Sequence, residues 1–596
     1  MKVNRTIAIL LILSLLTALL CACSTPSTGS GDEAMASSST LSNNGNPSAE
    51  SSIQDIPSTS SEEVVSSSQG ESSNSSTVQP PEIKQDIIAV TYPDRVQTVE
   101  ELGYTASSYA ELGAGRSASY TGNAGFKNGL LSIVVSPYYT MTVNDAVVPV
   151  YATLSCGDGS GLLHSYAVIE VKKSGFPLDV HVQANSLSLE KVTALPAYLG
   201  VAPSLEGSSG YQATITETGS YTFLVNNFRG EISQQYALTL FVRDYVDEEA
   251  EIAAYKNKYG SDQVKVYEAG VHEFDHLQMT SDSSIIYLRR GALLVAKHTM
   301  DISSDSDNQT KSEPGASSSN GWGLNRYPVL TAHQKKDVKL VGSGAIDAGA
   351  LDWHERRGIM FSSCTNVEIS GIILTNFPEW TIITYNCTNV NIHDVAVFGW
   401  KTNSDAFAIC NTRNAEIDNC YAHSGDDLFE VKTLGGAQMT DNVTFTNCVA
   451  WNGKARCFGL TSETEKDVSN VKFKRCGVIW RDATWDNSIL GSLVVIVSGP
   501  GKVSDIVFED IEIQQDKGRA INVTLDTANA TSVSNIQFKN IRYQSSLPNR
   551  ISTEKAAAGK ADVLFSNITG NGVRLTSDNA GETIETAGKN VQYTVE

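Results

Sequence analysis

The sequence predicts an all-β protein: a right-handed parallel β-helix preceded by a β-sandwich domain and a disordered N-terminal tether. Three observations carry this reading. A strand-like motif recurs at a near-constant interval between Asp337 and Phe538; ahead of it, from Gln85 to Asp244, short β-branched and aromatic runs alternate with turn residues; and the first 84 residues pass from an apolar run into a Ser-rich stretch. The boundaries fall at 1–23, 24–84, 85–245, 246–262 and 263–596.

Lys2 and Arg5 precede the apolar run Ile7 to Leu20, which is followed by Cys21-Ala22-Cys23. A basic start, a short apolar segment and small residues at the cut predict an export signal, too short for a confident membrane span. Leu20 to Cys23 also resembles a bacterial lipobox, which implies lipidation of Cys23 and attachment to the outer face of the cell membrane; ordinary cleavage and free secretion is the alternative. From Ser24 to about Pro81 large apolar residues are scarce, so too little surface is buried to offset the entropy of ordering. A flexible chain of roughly 58 residues has a reach of about 40 Å. With 66 acidic against 44 basic side chains, a net charge of -22, a nucleic-acid partner is not expected.

In the sandwich the expected strands are Asp86 to Val90, Val147 to Ala152, Tyr166 to Val171, Ser220 to Val225 and Tyr236 to Val242. No catalytic constellation stands out there, and its expected role is packing on the end of the following domain, with independent carbohydrate binding as the alternative. Asp247 to Tyr259 is a helix-compatible connector, and the acidic, Ser-rich stretch 301–320 reads as a loop.

The repeat begins at Asp337, Asn366, Asn389, Asn414, Asn442, Asn470, Asp505 and Asn535, at intervals of 29, 23, 25, 28, 28, 35 and 30 residues. Each copy is a turn-forming Asn or Asp followed by apolar residues at alternate positions, as in Asn389-Val390-Asn391-Ile392. A unit this small cannot bury its own inner face, so successive units must stack, strand on strand about 4.8 Å apart. The cysteines share the register: Cys420, Cys448 and Cys476 each follow a repeat Asn by six residues, and Cys364 and Cys387 each precede one by two. Aligned ladders favour reduced core thiols, although neighbouring coils are close enough for a disulfide.

Asp405 precedes Asp426 and Asp427 by 21 and 22 residues, close to one coil, so the three carboxyls should converge on one outer wall. Adjacent aspartates in a regular strand would point to opposite faces, so this pair needs a bend, for which Gly425 supplies freedom.

Asn403-Ser404-Asp405-Ala406 is similar to the Asn-Thr-Asp-Gly signature of the polygalacturonases of glycoside hydrolase family 28, and Gly425-Asp426-Asp427 with Lys432 resembles their Gly-Asp-Asp-x-x-x-x-Lys segment. Asn376-Phe377-Pro378-Glu379-Trp380-Thr381 and Gly342-Ser343-Gly344-Ala345-Ile346-Asp347 resemble two further segments, and the likeness spans roughly Gly270 to Ile541. Two motifs depart: Trp451-Asn452-Gly453 stands where Gly-His-Gly is expected, and Trp480-Arg481-Asp482 near the place of Arg-Ile-Lys. A β-sandwich ahead of the helix without those motifs looks more like the dextranases and isopullulanases of family 49. The resemblance implies an inverting glycoside hydrolase. In it Asp426 is the general acid, while Asp405 and Asp427 hold and deprotonate the attacking water.

Around the trio, Lys432, Arg456 and Arg481 are candidates for contacts to sugar hydroxyls or a carboxylate. Asn403, of the same signature, is a further candidate for substrate binding, and Trp380, Trp400 and Trp451 are candidates for stacking on sugar faces or for burial at coil corners. His423 either hydrogen-bonds to the acid or sits on the surface. A polysaccharide or oligosaccharide is the expected partner, the chain is expected to be a monomer, and neither cofactor nor metal is expected. A Ca²⁺-dependent polysaccharide lyase and a non-catalytic glycan-binding surface protein are the competing readings. Without a clear Arg-x-Lys a neutral or mixed glycan is favoured slightly over polygalacturonate, with uronic acids kept open by Lys432 and Arg481.

Overall fold

The computed structural model describes residues 86–114, 126, 129–156, 161–226, 236–298, 328–353, 355–435, 438–452, 454–529 and 531–596. The expected leader, Cys23, the tether and the loop at 301–320 lie outside the described residues.

Every copy of the repeat is a strand of one parallel ladder. Val338 pairs with Val367, Val367 with Val390, Val390 with Ala415, Ala415 with Val443, Val443 with Val471, Val471 with Ile506 and Ile506 with Ile536. A typical coil has three strands, for instance Thr388–His393, Ala396–Phe398 and Phe407–Cys410. The first two of each coil join a 21-stranded sheet that turns a corner, and the third joins an 11-stranded sheet. The right-handed parallel β-helix is therefore built as predicted.

The repeat asparagines turn the chain. Asn366, Asn389, Asn414, Asn442 and Asn470 all have φ between 54° and 58°, a left-handed conformation that Asn adopts more readily than other residues bearing a Cβ. Their side chains chain together across coils: Asn389 Nδ2 donates to Asn366 Oδ1 at 3.0 Å, Asn414 to Asn389 at 3.1 Å and Asn442 to Asn414 at 3.0 Å. Inside, like residues stack on like. Phe429 lies between Phe407 and Phe458 with ring centroids 4.9 Å apart on each side. All eight described cysteines are buried, and none of them forms a disulfide among the described residues. The thiols of Cys420, Cys448 and Cys476 each donate to the carbonyl two residues earlier.

The sandwich consists of a seven-stranded and a five-stranded sheet, antiparallel except where Leu238–Asp244 runs parallel to Gly161–Val171. One segment departs from the all-strand expectation: Ala106–Ala114 is an α-helix, its Ser-Ser-Tyr-Ala-Glu-Leu run lacking β-branched residues. Glu248–Tyr259 is also helical, begun by Asp247, which accepts from Ala250 N.

The sandwich does not cap the end of the β-helix, as expected, but lies along its side. Tyr166, Val168, Leu224 and Phe241 form one buried cluster with Leu293, Ala345, Ile373, Phe398, Tyr421, Val449 and Ile479, the outward residues of the second strand in successive coils. Those strands carry apolar side chains on both faces, which only a covered sheet tolerates. Polar groups pin the contact: Ser132 N and Oγ donate to Asp347 at 2.8 and 2.6 Å, and Asn376 Nδ2 donates to the Leu154 carbonyl at 3.0 Å. The corner between this covered ribbon and the 11-stranded sheet holds Trp400 to Asp405 and Gly425 to Asp427.

Candidate active site

Asp405 and Asp427 precede paired strands of the 11-stranded sheet, in which Phe407 pairs with Phe429 and Phe429 with Phe458. The pairing runs back past the strand starts. Thr381 N donates to the Asp405 carbonyl, Ala406 N to the Asp427 carbonyl and Leu428 N to the Arg456 carbonyl, at 2.7, 2.9 and 3.1 Å. Trp380, Asp405, Asp427 and Arg456 therefore follow one another along the helix axis, coil by coil. Ala406, Phe407, Leu428 and Phe429 belong to the core, whereas Asp405 and Asp427 turn away from it toward Lys432 and Arg456.

The bend that separates Asp426 from Asp427 is held from both sides. A Cβ on Gly425 would meet the Lys401 carbonyl at 2.2 Å, so the chain passes there only as glycine. Gly425 N donates to Ser404 Oγ at 3.0 Å, and Asn452 Nδ2 donates to the carbonyls of Asp426 and Arg456 at 2.7 and 2.8 Å. Asn403, at φ 61°, directs its N–H to Asp426 Oδ2 at 3.2 Å, while Asp427 N donates to Asp426 Oδ1 at 2.9 Å. Asp426 is the half-buried member of the trio; Asp405 and Asp427 are buried.

Each carboxyl has a distinct environment. Asp427 is ion-paired, receiving Arg456 Nη1 at 2.8 Å on Oδ2 and Arg456 N at 3.0 Å on Oδ1. Burial, with the charges of Asp405 and Asp427 adding to it, holds the Asp426 carboxyl well above the usual range. Burial likewise raises Asp405, and next to it the charge of Glu430. A carboxyl held above its usual range beside one paired to an arginine is the asymmetry that acid catalysis by a carboxyl requires.

The structure adds residues that the sequence reading passed over. Glu430 is fully buried; its Oε2 accepts from Thr461 Oγ1 at 2.7 Å and lies 2.8 Å from Lys432 Nζ. Lys432 Nζ is also 3.2 Å from Asp405 Oδ2 and 3.6 Å from Glu463 Oε2. Burial opposes its charge, but Glu430, Glu463 and Asp405 outweigh that and keep it an ammonium. Carboxylate oxygens of Asp405, Asp427 and Glu430 lie within 4.8 Å of one another, a donor set suited in principle to a divalent cation. The Lys432 ammonium already contacts two of the three, Asp405 and Glu430. Beneath it lies the Trp380 ring, 4.1 Å from Nζ, with the Arg357 guanidinium 4.3 Å from the same ring. Glu430 was legible: in the strand Phe429–Thr433 the alternation that turns Lys432 outward turns Glu430 to the same side.

Three expected sugar contacts are corrected. Trp451 is fully buried, stacked on His423 at 4.5 Å and edge-on to His164 of the sandwich. His423 is neither on the surface nor bonded to Asp426; its Nε2 pairs with the Cys156 carbonyl at 2.8 Å and its Nδ1 lies 3.2 Å from His164 Nδ1. Both side chains leave the β-helix on the ribbon that the sandwich covers. Arg481 is fully buried in a two-pronged ion pair, Nε and Nη2 donating to Asp516 at 2.7 and 2.6 Å. Of the other candidates, Arg456 is committed to Asp427, and half-buried Trp400 packs against the sandwich, with Lys454 Nζ 4.5 Å from its ring. A polar groove of about 380 Å³, lined by Tyr259, Lys339, Glu368, Asn391 and Glu416, lies on the 21-stranded sheet and includes none of the three aspartates.

Residues 336–592 match the model of the glycosyl hydrolases family 28. Polygalacturonase QRT2 of Arabidopsis thaliana is 24% identical over 244 residues, 36% of this chain and 52% of its own. An exopolygalacturonase of Zea mays is 27% identical over 243 residues, 36% of this chain and 57% of its own. The chain thus spans little more than half the length of these relatives. Among solved structures, Dex49A from Penicillium minioluteum superposes with a TM-score of 0.53 at 10% identity, covering 80% of this chain and 97% of that one, a likeness of fold.

Proposed function

We propose that this chain, which carries a domain of the glycosyl hydrolase family 28 type, hydrolyses O-glycosidic bonds of a polysaccharide or oligosaccharide with inversion at the anomeric carbon. The observation that carries the reading is the pair of unlike neighbours at one bend: Asp426, half-buried and raised, beside Asp427, locked to Arg456. Asp426 protonates the leaving oxygen. Asp405 and Asp427 hold the attacking water, and one of them takes its proton as the water oxygen bonds to the anomeric carbon. In an inverting enzyme acid and base flank the bond about 6.5–9.5 Å apart, leaving room for that water.

The relatives' names point to galacturonan, and two cations close to the Trp380 ring, Lys432 and Arg357, support an acidic sugar. The burial of Arg481 withdraws the cation nearest the missing Arg-Ile-Lys and supports a neutral or mixed glycan. The leader and Cys23 support export and a lipid anchor, which replacement of Cys23 by Ala tests through the loss of membrane-associated protein. For the activity, a glycan panel is assayed for reducing ends and for ultraviolet absorbance, with and without chelator. Reducing sugar without absorbance, insensitive to chelator and lost in Asp426→Asn, supports hydrolysis; an absorbing product abolished by chelator is the outcome of a lyase.

A further inference from the structure

Five carboxyls, Asp405, Asp426, Asp427, Glu430 and Glu463, are gathered around two cations, Lys432 and Arg456. Arg456 is spent on Asp427, and Lys432 is the cation in contact with Asp405, Glu430 and Glu463. Buried charge in such excess is not sustained; protons must remain on part of the set. Among the described residues Asp405 Oδ1 and Glu430 Oε1 are both buried without a hydrogen-bond partner. A proton shared between the two carboxyls satisfies both acceptors at once.

We propose that Glu430 is a positioning residue for Asp405: with Lys432 held between them the two carboxyls share one proton, and the negative charge of Glu430 keeps Asp405 basic enough to take a proton from the attacking water. The inference rests on the hydrolase reading above. Glu430 holds the shorter contact to Lys432 and a second donor in Thr461, so it carries the charge and Asp405 the proton in the resting site. When Asp405 is ionised it accepts one proton from water, the water oxygen bonds to the anomeric carbon, the bond to the leaving oxygen breaks and Asp426 gives that oxygen its proton. The cycle closes as Asp405 loses a proton to solvent and Asp426 gains one. A base is most effective when its basicity lies near the working pH, and a neighbouring carboxylate moves Asp405 in that direction. The groups facing the pair are Asp427 and Cys410, Lys432 on the Glu430 strand, Glu463 and Thr461 on the next coil, Arg456, and Asp426 at the bend.

The test uses the full chain with Glu430→Gln, Asp405→Asn and the double variant. Removing the charge at 430 lets Asp405 ionise more readily, so the acid limb of kcat/KM moves to lower pH by about one unit or more. Side chains that merely fill space leave the limb where it is. A second readout needs no substrate. The folded-state values of both carboxyls lie above their unfolded ones, Glu430 at about 7, so their stabilising contribution is present below about pH 4 and is lost as pH rises. Tm of the wild type therefore falls between pH 5 and 8, and Glu430→Gln and Asp405→Asn each flatten that fall. The double variant flattens it by less than the sum, as expected of coupled groups. Should Glu430→Gln not fold, Asp405→Asn carries the same comparison from the other carboxyl. An unmoved acid limb with parallel or additive Tm slopes overturns the proposal. A wild type inactive on every glycan counts against the hydrolase reading, and the Tm slopes still decide the coupling.

Discussion

Asp427 follows Asp405 by one coil, tied to it through the hydrogen bond from Ala406 N to the Asp427 carbonyl at 2.9 Å. A separation of 22 residues in the chain has become the distance between neighbouring strands. Parallel β-helices give any residue such a neighbour; what distinguishes this place is the bend at Gly425, which lets a third carboxyl, Asp426, share the wall.

Asp426→Asn removes the one half-buried carboxyl of the trio, which burial holds well above the usual carboxyl range. Turnover should fall by about 10²–10⁴-fold, the usual worth of a general acid, while affinity for the glycan is kept. Steady-state kinetics with calorimetric binding on the same variant separates the two quantities.

Gly425→Ala places a methyl group 2.2 Å from the Lys401 carbonyl, so the bend must open. A shift of about 1 Å in a catalytic group costs on the order of 10²-fold in rate. Activity is expected to fall by about that factor with far-ultraviolet circular dichroism unchanged, since the coils on either side do not depend on this residue.

Trp451→Ala empties a fully buried site between sandwich and β-helix. A loss of about 3–5 kcal/mol in unfolding free energy is expected. Below the new transition KM should match the wild type; a raised KM at intact stability would mean that the indole meets the glycan.

Arg481→Met leaves Asp516 buried without its counter-ion and should cost about 3–5 kcal/mol. Adding Asp516→Leu should restore most of it. Denaturant unfolding of the two single variants and the double measures the recovery.

The buried imidazoles make the side-by-side contact acid-sensitive. Burial pulls His423 down to about 3, against an ordinary value near 6.5, and burial also depresses His164. A base whose folded value is depressed contributes stability that is complete above the unfolded value and is lost as pH falls toward the folded one. The imidazoles therefore lower Tm between pH 6.5 and pH 4, against the opposite contribution of Asp405 and Glu430, and the Tm of His423→Gln, which cannot be protonated, should rise relative to the wild type across that interval.

The ladder from Val338 to Ile536 was legible because an inward residue at a fixed offset from each Asn or Asp requires nothing beyond periodicity. The carboxyl cluster followed from the same arithmetic, and so would the partner of Arg481, since Asp516 stands 35 residues on, the interval between the repeats at Asn470 and Asp505. His423 and Trp451 were misread for a different reason. Periodicity turns both outward, but which outer wall the sandwich covers depends on Tyr166, Val168, Leu224 and Phe241, over a hundred residues away in the chain. The helix at Ala106–Ala114 escaped because nine residues among strands carry little periodic signal.

In the inverting reaction proposed above, water attacks one face of the sugar while Asp426 protonates the oxygen leaving from the other. Proton NMR of the first product formed from a cleaved glycan, recorded before mutarotation, reads this directly. The expected product has an anomeric configuration opposite to that of the bond broken; a product that retains it rules inversion out.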